Sequence, residues 1–208
     1  ATDMSASTLI DKKILIDVPN GIVKHIKKLG YNTGEIESIL ITHLHGDHFF
    51  DIPFFMFDRY FQKNDNLVCI YCPKGTKEKV KLLFDIGFPG DFDRINHTIN
   101  VKFVEFDGES KIEGKDFVAY SKYVEHGNFE PAYGYIITLN NKKIGFSGDS
   151  KFCNAIENIV EETDISILDM SHAQNVSPAH MGIEDIKYLC NKYKNKTIIS
   201  THMHEYTK

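Results

Sequence analysis

The chain has 208 residues, 42% hydrophobic and 25% charged, enough for one substantial core and too little for two comfortable domains, so a single domain over 1–208 is expected. A formal charge of −5 argues against a generally basic surface that would grip many phosphates, which disfavours nucleic acid as a partner. The apolar runs are too short to span a membrane, the opening Ala1-Thr2-Asp3-Met4 lacks the regions of a signal peptide, and of the four cysteines Cys69 and Cys72 read as free thiols of a reducing, cytoplasmic setting.

Thr8 to Ile10 and Lys13 to Asp17 read as two strands about a turn at Asp11-Lys12. Asp17 ends the apolar Ile14-Leu15-Ile16 just before Pro19-Asn20-Gly21 breaks the run. Ile22, Val23, Ile26 and Leu29 keep a helical stripe that Gly30 stops. Ser38 to Ile41 is a short buried strand, and the loop Thr42-His43-Leu44-His45-Gly46-Asp47-His48 begins where it ends. Three imidazoles and a carboxylate within six residues are ligand types for a divalent metal, and Gly46 permits a tight backbone path. The following helix, opened by Pro53, is rich in aromatics (Phe54, Phe55, Phe57, Tyr60, Phe61), which serve the core, the mouth of a pocket, or a contact surface such as a homodimer interface.

Leu67 to Tyr71 is a strand carrying Cys69 and Cys72; positions three apart on a strand face opposite ways, so this C-x-x-C does not form a shared ligand pair. A helix over Lys77 to Phe84 follows, then strands at Val101 to Phe106, Lys111 to Ile112 and Phe117 to Val124, with His126-Gly127 just beyond. Tyr133 to Leu139 and Lys142 to Phe146 form a hairpin across Asn140-Asn141 and deliver Ser147-Gly148-Asp149. A helix at Ala155 to Val160, a strand at Ile165 to Leu168, a loop from Asp169 to His180, a helix marked by Ile183, Ile186 and Leu189, and a strand at Thr197 to Ser200 lead to His202. Strand groups alternate with helices in both halves, which fits a two-sheet α/β sandwich.

His43-Leu44-His45-Gly46-Asp47-His48 resembles the HxHxDH signature of the metallo-β-lactamase superfamily, and His126, Asp149 and His202 stand in the order of that family's further ligands. The resemblance covers about Ser7 to His202 and implies a four-layer αββα sandwich with a metal site that is usually hydrolytic. It implies that His43, His45 and His126 hold one ion, that Asp47, His48 and His202 hold a second, and that Asp149 bridges the two. The ions, zinc by ligand type with manganese or iron acceptable, then share a hydroxide that acts as nucleophile, with Asp47 orienting it. The resemblance also makes Asp17 a support for the metal loop; a solvated strand-end carboxylate is the alternative. His204 competes with His202 for the last ligand position.

The Gly-Asp-Ser motif and Pro178-Ala179-His180 are similar to the tRNase Z-like phosphodiesterase branch, where the histidine matching His180 contacts phosphate and assists the leaving group. The alternative for His180 is a cap on the last helix. Two features depart from that branch. Ser171-His172-Ala173-Gln174 stands where the branch has His-Glu-Ala-Thr, and the 22 residues between His126 and Asp149 leave no room for a tRNA-gripping arm. A small or cyclic phosphodiester is therefore the expected substrate. Other readings on the same metals are a thioesterase, lactonase or β-lactamase-type hydrolase, an iron-dependent sulfur dioxygenase, and a non-catalytic metal-binding relative.

Overall fold

The structure, a computed structural model, describes residues 7–173 and 177–203; His204 and Gln174 lie outside the described residues. The chain divides into two compact units, residues 1–107 and 108–208.

In the first unit, β1 (Thr8–Ile10) pairs antiparallel with β2 (Ile14–Ile16). The turn between them places Asp11 and Lys12 at φ 47° and 61°. β2 then pairs parallel with β3 (Ser38–Leu40), β3 with β4 (Val68–Pro73) and β4 with β5 (Val101–Phe106), giving the order β1-β2-β3-β4-β5. Parallel neighbours need crossovers, supplied here by α1 (Ile22–Lys28), the short α2 (Gly46–Phe49), α3 (Ile52–Phe61), α4 (Thr76–Gly87) and α5 (Asp91–Thr98). Leu15, Ile39, Ile41, Phe55, Ile70 and Phe84 lie at the centre of this unit's core, each fully buried and each worth roughly 1.5–3 kcal/mol. Pro53 occupies the first turn of α3, as its missing N–H permits. Phe55 and Met56 point inward, whereas Phe54 and Phe61 are 53% and 75% exposed. α5 has no counterpart in the sequence reading, because Phe92 and Ile95 are its only buried side chains and make too sparse a stripe.

Arg59 is fully buried; it donates to the carbonyls of Thr33, Ile36 and Asn66 and to Asn64 Oδ1, tying the end of α3 to the turn before β3. Of the two cysteines on β4, Cys69 is half-buried and Cys72 fully buried, and burial pushes the Cys72 thiol up to about 12. Both are free.

The second unit holds β6 (Lys111–Glu113), β7 (Phe117–Tyr123), β8 (Tyr133–Leu139), β9 (Lys142–Phe146), α6 (Asn154–Glu162), β10 (Ile165–Asp169), α7 (Ile183–Lys192) and β11 (Thr197–Thr201). Its sheet runs β11-β10-β9-β8-β7-β6. β6 to β9 form an antiparallel meander, and β9, β10 and β11 are parallel. The β8–β9 hairpin turns through Asn140 and Asn141 at φ 49° and 61°, the left-handed pair that a two-residue turn requires. Ile156, Ile159, Val160, Leu168 and Leu189 are fully buried in this unit's own core. No described helix in either unit is long and apolar enough to cross a membrane.

Candidate metal centre

In the first unit the donors gather where β2 and β3 end side by side. The Asp17 N–H donates to the Leu40 carbonyl at 2.9 Å, and its φ of 58° turns the carboxylate back over the loop that leaves β3. Such a conformation costs a non-glycine residue on the order of 1–3 kcal/mol and persists only where the surroundings enforce it. Here they do. Asp17 Oδ1 accepts the Thr42 N–H at 2.8 Å, and Oδ2 accepts the Thr42 hydroxyl at 2.7 Å and His48 Nδ1 at 2.8 Å. Burial pushes the Asp17 carboxyl up, and the His48 imidazole with the Thr42 donors pulls the other way. Asp17 is thus the support of the histidine loop, not a solvated strand end.

These bonds assign the imidazole tautomers. The Thr42 hydroxyl gives its hydrogen to Asp17, so its oxygen accepts from His43 Nδ1 at 3.0 Å. His43 and His48 then carry their lone pairs on Nε2. His43 Nε2 stands 3.1 Å from His45 Nδ1. Two nitrogens on one ion at 2.0–2.1 Å lie roughly 2.9–3.4 Å apart, so this pair suits a shared cation. His43 and His48 are fully buried, while the Asp47 side chain is half exposed with Oδ2 3.8 Å from His48 Nε2. The loop ends in a helical turn, α2, whose far end is tied down by Val18 N–H to the His48 carbonyl at 2.7 Å. Gly46 serves space rather than an unusual φ: a Cβ there would lie 2.7 Å from the Phe50 ring.

In the second unit His126 follows β7, and its Nδ1 donates to the Ala179 carbonyl at 3.0 Å, leaving the lone pair on Nε2. Gly127 takes φ 57°, and a Cβ on it would stand 3.2 Å from the Ala179 Cβ. Gly127→Ala should therefore cost about 1–2 kcal/mol through the left-handed φ and also loosen His126. Thermal melting together with zinc titration checks this; an alanine variant with unchanged values for both would contradict it. Asp149 follows β9 in a loop held to the end of β10, where Ser147 Oγ accepts the Asp169 N–H at 2.7 Å and Ser150 N–H reaches Asp169 Oδ2 at 3.1 Å. His202 follows β11 at φ 59°, with Nε2 3.5 Å from Asp149 Oδ2.

His180 does not cap the last helix. Its Nδ1 bonds Asp169 Oδ2 at 2.7 Å, and the Gly182 N–H ahead of α7 goes to Asp185 at 3.0 Å. One potential ligand atom from each of His126, Asp149 and His180 lies within 4.8 Å of the others, and the same holds for Asp169, His180 and His202. The His172 ring centroid is 6.0 Å from that of His180. Asp169 and Ser171, which hydrogen-bond to His180 and His202, are not among the candidates the sequence offers. A signal for Asp169 existed, since it ends an apolar strand as Asp17 does; Ser171 had none.

Imidazoles with committed Nδ1–H groups, next to buried carboxylates, form the nitrogen and oxygen donor set that borderline divalent ions take. The family described as "Anti-Pycsar protein Apyc1" matches residues 5–208. The chain belongs to that family.

The ribonuclease Z of Pyrococcus horikoshii is 28% identical over 135 residues, which are 64% of this chain and 41% of that protein. The ribonuclease Z of Limosilactobacillus fermentum is 34% identical over 93 residues, 44% of this chain and 28% of that protein. The chain thus matches less than half the length of these curated relatives. Among solved structures, human tRNase Z, short form, aligns with a TM-score of 0.77 at 17% identity, over 98% of this chain and 88% of that one. The metallo-β-lactamase fold protein YhfI from Bacillus subtilis gives 0.76 at 17% identity, over 98% and 80%. A diphosphatase from the PhnP family gives 0.70 at 21% identity, over 96% and 72%. The α/β fold expected from the HxHxDH signature is therefore the fold of this Apyc1-family chain.

Proposed function

We propose that this Apyc1-family protein is a metal-dependent phosphodiesterase acting on small or cyclic phosphodiesters. In this reading His43, His45 and His126 would hold one divalent ion and Asp47, His48 and His202 a second, with Asp149 as a further ligand. The position of His180 carries the choice of phosphate. Its ring is backed by the Asp169 carboxylate and stands beside His126 and Asp149, the place for a group that contacts a phosphoryl oxygen or protonates a leaving alkoxide. Bound divalent ions supply Lewis acidity towards the phosphoryl oxygens and lower the pKa of water towards neutrality.

The residues themselves do the rest. Asp47, exposed at the start of α2, orients the attacking water. Asp17, through Thr42 and His48, keeps the imidazoles in the tautomer that presents Nε2. Asp169 holds the His180 ring by accepting from Nδ1, which leaves Nε2 as the ring atom available to the phosphate. The relatives named ribonuclease Z and the PhnP-family diphosphatase support hydrolysis of a phosphoester.

Hydrolysis of an acyl thioester, lactone or β-lactam on the same donors is the second reading. Bis-p-nitrophenyl phosphate assayed beside an acyl thioester, each with added zinc or manganese, separates the two. We expect turnover of the phosphodiester and a loss of about 10²-fold or more in kcat for His180→Ala. Turnover confined to the thioester overturns the phosphate reading.

A further inference from the structure

The mechanism above gives no task to Ser171, a fully buried hydroxyl between two of the histidines. Its hydrogen goes to Asp169 Oδ1 at 2.8 Å, so its oxygen accepts from His202 Nδ1 at 2.5 Å. Asp169 is itself 1% exposed, and its other oxygen takes His180 Nδ1 and the Ser150 N–H. His202 Nδ1 lies 3.7 Å from Asp169 Oδ1, too far for a direct hydrogen bond. The two imidazoles stack with centroids 5.3 Å apart and planes 11° apart. Ser171 Oγ also lies 3.2 Å from His180 Nδ1, whose shorter contact is to Asp169 Oδ2. One carboxylate therefore anchors both rings, His180 directly and His202 through the serine.

From this we infer that Ser171 is a positioning residue: it fixes His202 as the Nδ1–H tautomer and turns its Nε2 towards Asp149, so that a proposed metal ligand and the proposed phosphate-contacting histidine share Asp169 as a common anchor. The inference rests on the dinuclear reading only for the metal it serves; the tautomer is a property of the protein itself. The φ of 59° at His202 gives the hydroxyl a mechanical part as well. A left-handed residue at a strand end needs its side chain restrained, and Ser171 supplies a restraint that a metal ion need not be present to maintain.

The test has two arms. In the first, long-range proton–nitrogen NMR of the histidine rings is recorded on metal-free protein. The wild type is expected to show His202 as the Nδ1–H tautomer. Ser171→Ala should show a mixture or the Nε2–H form, with His126 unchanged because its partner is the Ala179 carbonyl. In the second, zinc binding is titrated in wild type, Ser171→Ala, His202→Ala and the double variant. Ser171→Ala is expected to weaken one of two sites by about 10–100-fold and to add nothing once His202 is alanine. Ser171→Thr, which keeps the hydroxyl, should recover the wild-type tautomer.

An unchanged His202 tautomer in Ser171→Ala overturns the inference, as does a full additional loss of zinc affinity in the double variant. Uptake of a single ion by the wild type overturns the dinuclear reading instead, and the ring spectra then decide the role of Ser171 alone.

Discussion

Chelation is expected to abolish phosphodiester hydrolysis and to lower the melting temperature by roughly 5–11 °C. The loss of turnover follows from the donors. Most are imidazoles and carboxylates buried among their own hydrogen-bond partners, with no hydroxyl or thiol activated as a nucleophile among them. The loss of stability follows from mass action: a ligand at 100 times its dissociation constant stabilises the folded state by about 2.7 kcal/mol, and a chain of this size shifts by about 2–4 °C per kcal/mol. Zinc or manganese added back should restore both. The expected measurement is a pair of curves, rate and melting temperature against free metal, that rise together. Undiminished hydrolysis after exhaustive chelation would dispose of the metal-dependent reading altogether.

Asp17→Ala is expected to lower stability by about 3–5 kcal/mol and metal affinity by about 10–100-fold. The carboxylate is the acceptor for three donors, the Thr42 N–H, the Thr42 hydroxyl and His48 Nδ1, all of them buried. Alanine strands those donors and also strains at φ 58°. Asp17→Asn separates the two effects. Asparagine tolerates the left-handed region and its oxygen still accepts one donor, so most of the stability returns. Its amide nitrogen cannot accept from His48 Nδ1–H, so His48 is driven to the other tautomer and metal affinity stays low. Melting curves and zinc titrations on both variants read this split; an asparagine variant with full metal affinity would remove Asp17 from the site.

Much of this was legible from the residues alone because apolar strands end in polar ligand types at fixed places. Ile39-Leu40-Ile41 before His43, and the β9 strand before Asp149, announce both a strand and what it carries. The Asn140-Asn141 turn was equally plain, since few residues accept the φ values it needs. Less of the support was readable. The Ser171 contact with His202 joins positions 31 apart and His126 to Ala179 joins positions 53 apart, and no local pattern encodes a hydrogen bond that long-range packing creates. For His180 the sequence offers a role at the phosphate with helix capping as the competitor, and no local pattern foretells the Asp169 carboxylate behind its ring. α5 escaped because six of its eight side chains never enter the core.

His48 and His202 depend on partners that a single nucleotide change can erase. His126 does not, because what holds its Nδ1 is the peptide carbonyl of residue 179, present whatever amino acid the gene encodes there. Selection at position 179 therefore acts on bulk alone, set by the approach of Gly127, and an inherited defect in His126 must come from shifting the main chain between 177 and 181. Insertions or deletions in that segment should disturb His126 far more than substitutions at position 179.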